Sequence, residues 1–493
     1  MNLLNLKKES FLYNSFLIIL SGFFIKGLGL LNKIFITRLL GTAGMNLYIL
    51  CFPTILLFIS LSSCSLNVTT SKLIAESLKN QKYSPRKIVK ESLKLGIKIS
   101  LLFEIVFVLS LPIIINKLLL NKDLFYPLLM SLFLYPLVGI TDTLRGTLAG
   151  LKQMKNVAIV NIIEQIFRFT FSIGSLIILR YHDPIISVSF TILALAVGEL
   201  TSLIYLIIKI KKLELPDFQS NNNELSAIKQ IAIPTTLSKL IGNLSYFFEP
   251  ILNTLILTYL GYNLNKINID YTIINAYIIP LLTISSFLST AIATTIIPSL
   301  SETIALNNSK DTDSLINKTF FLSIIPGIII SIILFFYPKD FLYFFFGTTL
   351  GSEFIRKFVF VFLIHYIQAP GIAIMQSLGK SKLIFIISSF FNLLRLIFII
   401  IFPLIFNFQT YSLFYSIIIT MAFETIIIWV LISIYSNFRL HKKKIIEILL
   451  ISIIIFNIGV ILHYHNLNFI ISSIILSSLF SFFIIKFKLI WSL

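Results

Sequence analysis

The chain has 493 residues, of which 57% are hydrophobic and only 12% charged, with a formal net charge of +19 and a mean hydropathy of +0.95. No soluble domain can bury that much apolar surface, and the apolar runs are continuous rather than alternating, which excludes a transmembrane β-barrel. The positive balance does not require nucleic acid, because the lysines crowd into a few connections, as they do in cytoplasmic loops of membrane proteins.

Each apolar run of about 20 residues can cross a ~30 Å hydrocarbon core as a helix. About fourteen spans are expected, near 11–31, 44–66, 95–115, 125–143, 156–179, 184–208, 231–260, 273–298, 319–337, 356–378, 383–406, 411–436, 445–462 and 467–491. The first run is too long for a signal-peptide core and has no small-residue cleavage site, so it reads as a retained span. Pro234 and Pro250 predict a kink in the run 231–260, or an excursion of part of it outside the core. The stretch "SKLIAESLKNQKYSPRKIVKESLK" and the segments "KIKKLELPDFQSNNNELSAIKQ" and "RLHKKK" are basic, whereas "NFQT" and "HYHNLN" carry no Lys or Arg. The basic side is expected to be cytoplasmic, which puts both termini there in a multi-pass protein of the cell membrane.

The polar linker 209–230 separates two sets of six spans, 1–208 and 231–440, and leaves 441–493 as an accessory pair. The halves resemble each other. "LAGLKQMKNVAIVNIIEQIFRF" (148–169) aligns with "MQSLGKSKLIFIISSFFNLLRL" (375–396), placing Leu151 on Leu378, Lys155 on Lys382 and Arg168 on Arg395. Residues 63–76 lie over 289–302, and Gly41 over Gly261. Six spans per half implies parallel repeats, an arrangement that in transporters puts the substrate site between the halves. The fold expected is therefore an all-α polytopic membrane protein with two pseudo-symmetric six-helix lobes.

Charges inside the spans mark the candidate site, since a cation at bilayer depth costs roughly 2.5–3.5 kcal/mol even on insertion scales. In "SGFFIKGLGLLNKIFITRLLG" (21–41), Gly22, Lys26, Gly29 and Lys33 form one helical stripe, with the lysines about 10.5 Å apart. Small residues between cations leave room for a bulky anion. The competing reading for Lys33 is snorkelling to an interface. No Asp or Glu occurs between Ser10 and Ala75. Further along, Glu164 and Arg168 stand at i, i+4 beside Asn161 and Gln165, and a local salt bridge is the favoured reading. Asp142 and Arg145 read the same way. The seventh span carries Lys239, Asn243 and Tyr246 on one face, and Glu249 beyond them. Glu104, Glu199, Arg395 and Glu424 are further intramembrane ionisable groups. Cys51 and Cys64 read as small core residues and "HYH" (463–465) as an isolated pair of histidines. There is no Walker A loop, dinucleotide fingerprint or nucleophile elbow, so neither an enzyme nor a cofactor is expected.

The segments "KGLGLLNKIFITRLLGTAGMNLYILCFP", "SKLIAES", "LRGTLAGLKQMKNVAIVNIIEQIFR", "IAIPTTLSKLIGNLSYFFEPIL" and "AIATTIIPSLSE" resemble the stage V sporulation protein B family. That family belongs to the polysaccharide-export branch of the multidrug/oligosaccharidyl-lipid/polysaccharide exporter superfamily. The resemblance implies two six-helix lobes around a V-shaped cavity, accessory final helices, and movement of lipid-linked wall precursors during spore cortex formation. Related lipid II flippases carry Arg-x-x-Gly-x-x-Arg-Asp in the first helix. Here the window runs from Lys26 to Lys33: the first cation and Gly29 carry over, Asn32 stands for the second arginine, and Lys33 replaces the acid.

The expected function is a flippase for an anionic lipid-linked saccharide, an undecaprenyl-diphosphate peptidoglycan precursor such as lipid II. Lys26, Lys33 and Lys239 are the expected diphosphate contacts. Asn32, Asn161, Glu164, Gln165, Arg168, Asn243 and Glu249 form the expected polar network. Membrane lipids and cell-wall synthesis enzymes are the expected partners, and nucleic acid is not. Two alternatives stand beside this reading: a cation-coupled multidrug antiporter on the same fold, and a membrane scaffold for wall synthesis that transports nothing.

Overall fold

The computed structural model describes the backbone of residues 3–213, 215, 217, 223–306, 308–406, 408–436 and 438–487. It also describes their side chains, apart from those of 3–21, 23, 294, 295, 298, 299, 305 and 409. The chain ends, whose cytoplasmic side was expected, and much of the 209–230 linker lie outside the described residues. All regular structure among the described residues is helical. Among the described residues eleven helices are long and apolar enough to cross a membrane, or up to thirteen if each of two bent pairs counts as one span. The chain is an all-α polytopic membrane protein.

Two compact units divide it, residues 1–269 and 270–493. The first unit contains α1 (Leu3–Ser63), α2 (Leu66–Asn80), α3 (Pro85–Ile113), α4 (Tyr135–Gly150), α5 (Met154–Ile178), α6 (Pro184–Lys211) and α7 (Glu224–Tyr259). Helix α1 turns at Gly41, whose φ of 62° suits only a residue without a Cβ, so its two arms correspond to the first two expected spans. Ser84 caps α3 by accepting from the Lys87 amide at 3.4 Å, and Pro85 occupies the first turn, where no N–H is needed. Helices α3 and α4 touch backbone to backbone: a Cβ built on Gly96 would lie 2.6 Å from the Gly139 carbonyl oxygen.

The linker does not mark the boundary between the compact units. Ala227, Ile228 and Ala232 of α7 pack against Leu73 of α2 and Ile88 of α3, and this apolar burial draws α7 into the first unit. The helix runs through Pro234 and Pro250 as one 36-residue element. That is about 54 Å at 1.5 Å per residue, longer than the hydrocarbon core.

In the second unit are α8 (Ser286–Ala305), α9 (Ser309–Phe336), α10 (Gln368–Ser377), α11 (Ser381–Ile405), α12 (Ser412–Ser436), α13 (Lys442–Tyr464) and α14 (Phe469–Lys486). The last two bury Ile448, Ile455, Leu476 and Phe480 against Phe321 and Ile332 of α9. The His463 ring packs on Phe336 and Tyr337, an aromatic contact rather than a ligand arrangement. Both cysteines are buried and free.

Internal repetition is visible in the backbone. Lys152 (φ 59°) and Gly379 (φ 74°) each make the left-handed residue of a turn between two helices. The turns share a hydrogen-bond ladder: Gln153 N to Leu148 O at 2.8 Å matches Lys380 N to Met375 O at 2.9 Å. The helices that follow, α5 and α11, have equal lengths of 25 residues. Gly261 (φ 82°) likewise echoes Gly41. The break at Cys64–Ser65 has its counterpart near 283–285, so the alignment of 63–76 with 289–302 does not register the two breaks.

Candidate functional site

The first unit holds a buried charge network built from three helices. On α5, Glu164 and Arg168 are one turn apart and share a face. Gly198 lets α6 approach that face, since a Cβ there would sit 3.0 Å from the Glu164 carbonyl oxygen. The approach brings Glu199 and Ser202 of α6 to Arg145 of α4. Arg145 Nη2 donates to Glu164 Oε2 at 2.6 Å, Glu199 Oε2 at 3.1 Å and Ser202 Oγ at 3.0 Å, while Nη1 donates to Glu199 Oε1 at 3.4 Å. This is the planar fork geometry in which guanidinium grips carboxylate. Arg168 donates to the other oxygen of Glu164. Side-chain exposures of 13% for Arg145 and Glu164 and 9% for Glu199 put the pairs out of water, where they count for more than surface pairs do. Asp142, one turn before Arg145, is hydrogen-bonded by Ser63 and feels the charge of Lys239 from α7.

A cavity of about 300 Å³ opens beside this network. Phe52, Ile55 and Val138 form part of its apolar wall, and Asp142, Arg168 and Glu199 reach its lining. Three carboxylates and two guanidiniums meet beside it, and the charge of Lys239 on α7 acts on Asp142.

The structure extends two expectations. Arg145 acts on Asp142 through its charge, as their spacing suggested, but its hydrogen bonds go to carboxylates of α5 and α6. The Glu164–Arg168 pair forms as expected, with Arg145 as an additional member. Arg145 and Glu199 are the network residues whose pairing the sequence did not reveal. Glu199 was visible as an intramembrane ionisable group and Arg145 as a charge at a helix end, but their separation of 54 residues carries no local signal.

The lysine stripe takes a different form. Gly29 faces α5, where its absent Cβ would lie 3.7 Å from Gln165 Nε2, whereas Gly22 has nothing within 4 Å. Lys26 is exposed and Lys33 half-buried. No described carboxylate lies within salt-bridge distance of Lys33. Asn32 is buried with its Oδ1 unsatisfied, and Gln165 is buried on α5 near Asn161, which is half-buried. On α7, Lys239 is exposed, Asn243 half-buried and Glu249 buried. Glu249 lies ten residues beyond Lys239, about 15 Å along the helix, so the two do not act together.

The second unit has its own polar cluster. Ser388 donates to Glu424 Oε1 at 2.6 Å and Gln368 Nε2 to Oε2 at 3.0 Å, while Arg395, the repeat partner of Arg168, donates to Asn392 at 3.3 Å. Among the described residues no group of three or more His, Cys, Asp or Glu is arranged to hold a metal ion.

Residues 11–304 match the polysaccharide biosynthesis protein family. The chain belongs to that family. It is 29% identical over 382 residues to stage V sporulation protein B of Bacillus subtilis (strain 168), covering 76% of this chain and 74% of that protein. Among solved structures it is similar to a lipid II flippase in its inward-closed conformation. The TM-score is 0.68 at 14% identity, over 96% of this chain and 99% of the other. It is also similar to a multidrug resistance MATE family transporter of the MOP superfamily in its inward-facing conformation. There the TM-score is 0.62 at 14% identity, covering 83% and 94% of the two chains. At such identities these two structures carry the fold alone. Both are transport proteins rather than enzymes.

Proposed function

We propose that the chain is a flippase for an anionic lipid-linked saccharide, an undecaprenyl-diphosphate peptidoglycan precursor such as lipid II. It would carry that precursor by alternating access from the cytoplasmic to the outer leaflet during wall or spore cortex synthesis. One observation carries the reading. Glu164 and Glu199 of the first unit's network are already engaged by guanidiniums, while half-buried Lys33 has no described carboxylate within salt-bridge distance. A Lys ammonium is a point charge suited to phosphate. Lys26 and Lys33 hold the diphosphate, Lys239 joins them by exchanging Asp142 for the substrate, and Asn161, Gln165 and Asn243 meet sugar hydroxyls. Names of relatives support this reading: one is a sporulation protein, another a lipid II flippase. The basic turns at 81–87 and 209–212 face the cytoplasm, as do the termini. An inside-negative potential then favours outward movement of two negative charges by roughly 4.6 kcal/mol per 100 mV.

A second reading, the cation-coupled multidrug antiporter, draws on the cavity that Asp142 and Glu199 line. Proteoliposomes loaded with a fluorescent undecaprenyl-diphosphate saccharide separate the two. Wild type moves the label between leaflets, Lys33→Ala slows it by about tenfold or more, and Lys33→Arg retains most of it. Export of a cationic dye without movement of the lipid rejects the flippase in favour of the antiporter. Movement of neither leaves the scaffold for wall-synthesis enzymes.

A further inference from the structure

The second unit contains a cavity of about 380 Å³, within the ~300–1,000 Å³ range of small-ligand clefts, that the charge network does not use. Phe320 of α9, Ile367, and Trp429 and Val430 of α12 line it, together with Phe438 and Leu440 of the connection to α13. The walls are almost wholly apolar, and the indole N–H is already spent on the Ile367 carbonyl at 3.0 Å. Its lining residues Ile426 and Val430, 48% and 51% exposed, belong to an apolar stripe of α12 that continues to Ile434 at 63%.

The rim is cationic and built to stay in place. Arg439 stands between the two lining residues Phe438 and Leu440, and Lys442, Lys443 and Lys444 follow within a turn. Lys318, two residues before Phe320, is close enough to Lys444 for their charges to interact. The acids facing this group are Asp313, which accepts from the Arg439 amide at 3.2 Å, and Glu447, which acts on Lys444. Five cations against two carboxylates leave the rim positive. Asn317, fully buried, clasps the segment from both sides: its Nδ2 donates to Arg439 O at 3.1 Å and its Oδ1 accepts from the His441 amide at 3.3 Å.

An apolar slot on an exposed apolar stripe, under an anchored cationic rim, has the polarity of one molecule class. We propose that this cavity seats an acyl chain of an anionic phospholipid of the surrounding bilayer, with its phosphate on Arg439, Lys442 and Lys443. The walls offer too few polar partners for a headgroup or a soluble ligand, and the charge selects an anion over a zwitterion. The site lies within the second unit and does not depend on what the protein transports.

Native mass spectrometry of the full chain, released from mild detergent with matched phosphatidylglycerol or phosphatidylcholine, tests this. One phosphatidylglycerol per chain is expected to persist at activation energies that strip phosphatidylcholine, with a preference of about tenfold or more. The triple variant Arg439→Gln, Lys442→Gln, Lys443→Gln loses the preference, and Val430→Trp, which fills the cavity, loses the bound lipid. Ser433→Trp repeats the filling from the next turn, and thermal melting checks that each variant is folded. Equal retention of both lipids, or undiminished phosphatidylglycerol on the triple variant, overturns the proposal. So does displacement of phosphatidylglycerol by equimolar undecaprenyl phosphate, which would assign the slot to a prenyl chain. None of these readouts involves flipping, so they stand or fall apart from the function proposed above.

Discussion

Replacing Arg145 with Met should be one of the more damaging single substitutions in the first unit. The guanidinium serves Glu164, Glu199 and Ser202 together from a position only 13% exposed. Without it Glu164 keeps Arg168, but Glu199 is left with hydroxyl donors such as Ser202 at 3.3 Å. Removing one partner of a buried pair costs about 3–5 kcal/mol, because the remaining charge stays desolvated. At ~2 °C per kcal/mol for a unit of this size, the melting midpoint should fall by about 6–10 °C. Scanning fluorimetry of purified protein in one detergent reads this directly. Adding Glu199→Gln removes the stranded charge and should restore more than half of the loss, a coupling of at least ~1.5 kcal/mol in the double-mutant cycle. If Arg145→Met melts with wild type, or if the second substitution only adds to the damage, the network does not hold α4, α5 and α6 together as argued.

Two further outcomes follow from geometry. Gly96→Ala forces a methyl group against the Gly139 carbonyl oxygen at 2.6 Å and Leu66 at 2.9 Å, an overpacking cost of about 1–3 kcal/mol. Gly242→Ala, with nothing within 4 Å, should be neutral or gain about 0.5–1 kcal/mol of helix stability; equal melting of the two variants would show that α3 and α4 do not cross there. For orientation, Cys51 and Cys64 are replaced by Ser and a single cysteine is placed at Lys82 or at Tyr181, which is 91% exposed. An impermeant maleimide should label the Tyr181→Cys variant only in intact cells and the Lys82→Cys variant only in inverted vesicles, and the reverse pattern would turn the protein over.

Features written in local spacing were legible in the sequence. Apolar runs longer than a bilayer is thick admit one solution, a helix that satisfies its own backbone, so a helical membrane protein could be read from hydropathy. Fourteen spans were expected, however, and eleven to thirteen such helices occur among the described residues. The Glu164–Arg168 pair could be named from four-residue spacing. The repeat could be found from matching residues, and the shared turn geometry of Lys152 and Gly379 has the same origin, since a left-handed residue and its hydrogen bonds are local. Where α7 belongs was not legible. Its position after a polar linker suggested the second half, but its small apolar residues Ala227 and Ala232 bury against α2 and α3, and burial follows complementary faces rather than chain order.

By itself, then, the sequence determined that this is a helical membrane protein, which residues carry charge inside it, and that its halves are related, because hydropathy and helical period act over tens of residues or fewer. Only the tertiary structure decided which charges cancel. Arg145 finds its partners 19 and 54 residues away, and Lys239 comes within the field of Asp142, nearly a hundred residues before it. No described carboxylate lies within salt-bridge distance of Lys33. Coulomb attraction is felt through space and strengthens as water is excluded, so the pattern of pairing belongs to the packing of helices and not to the order of residues along them.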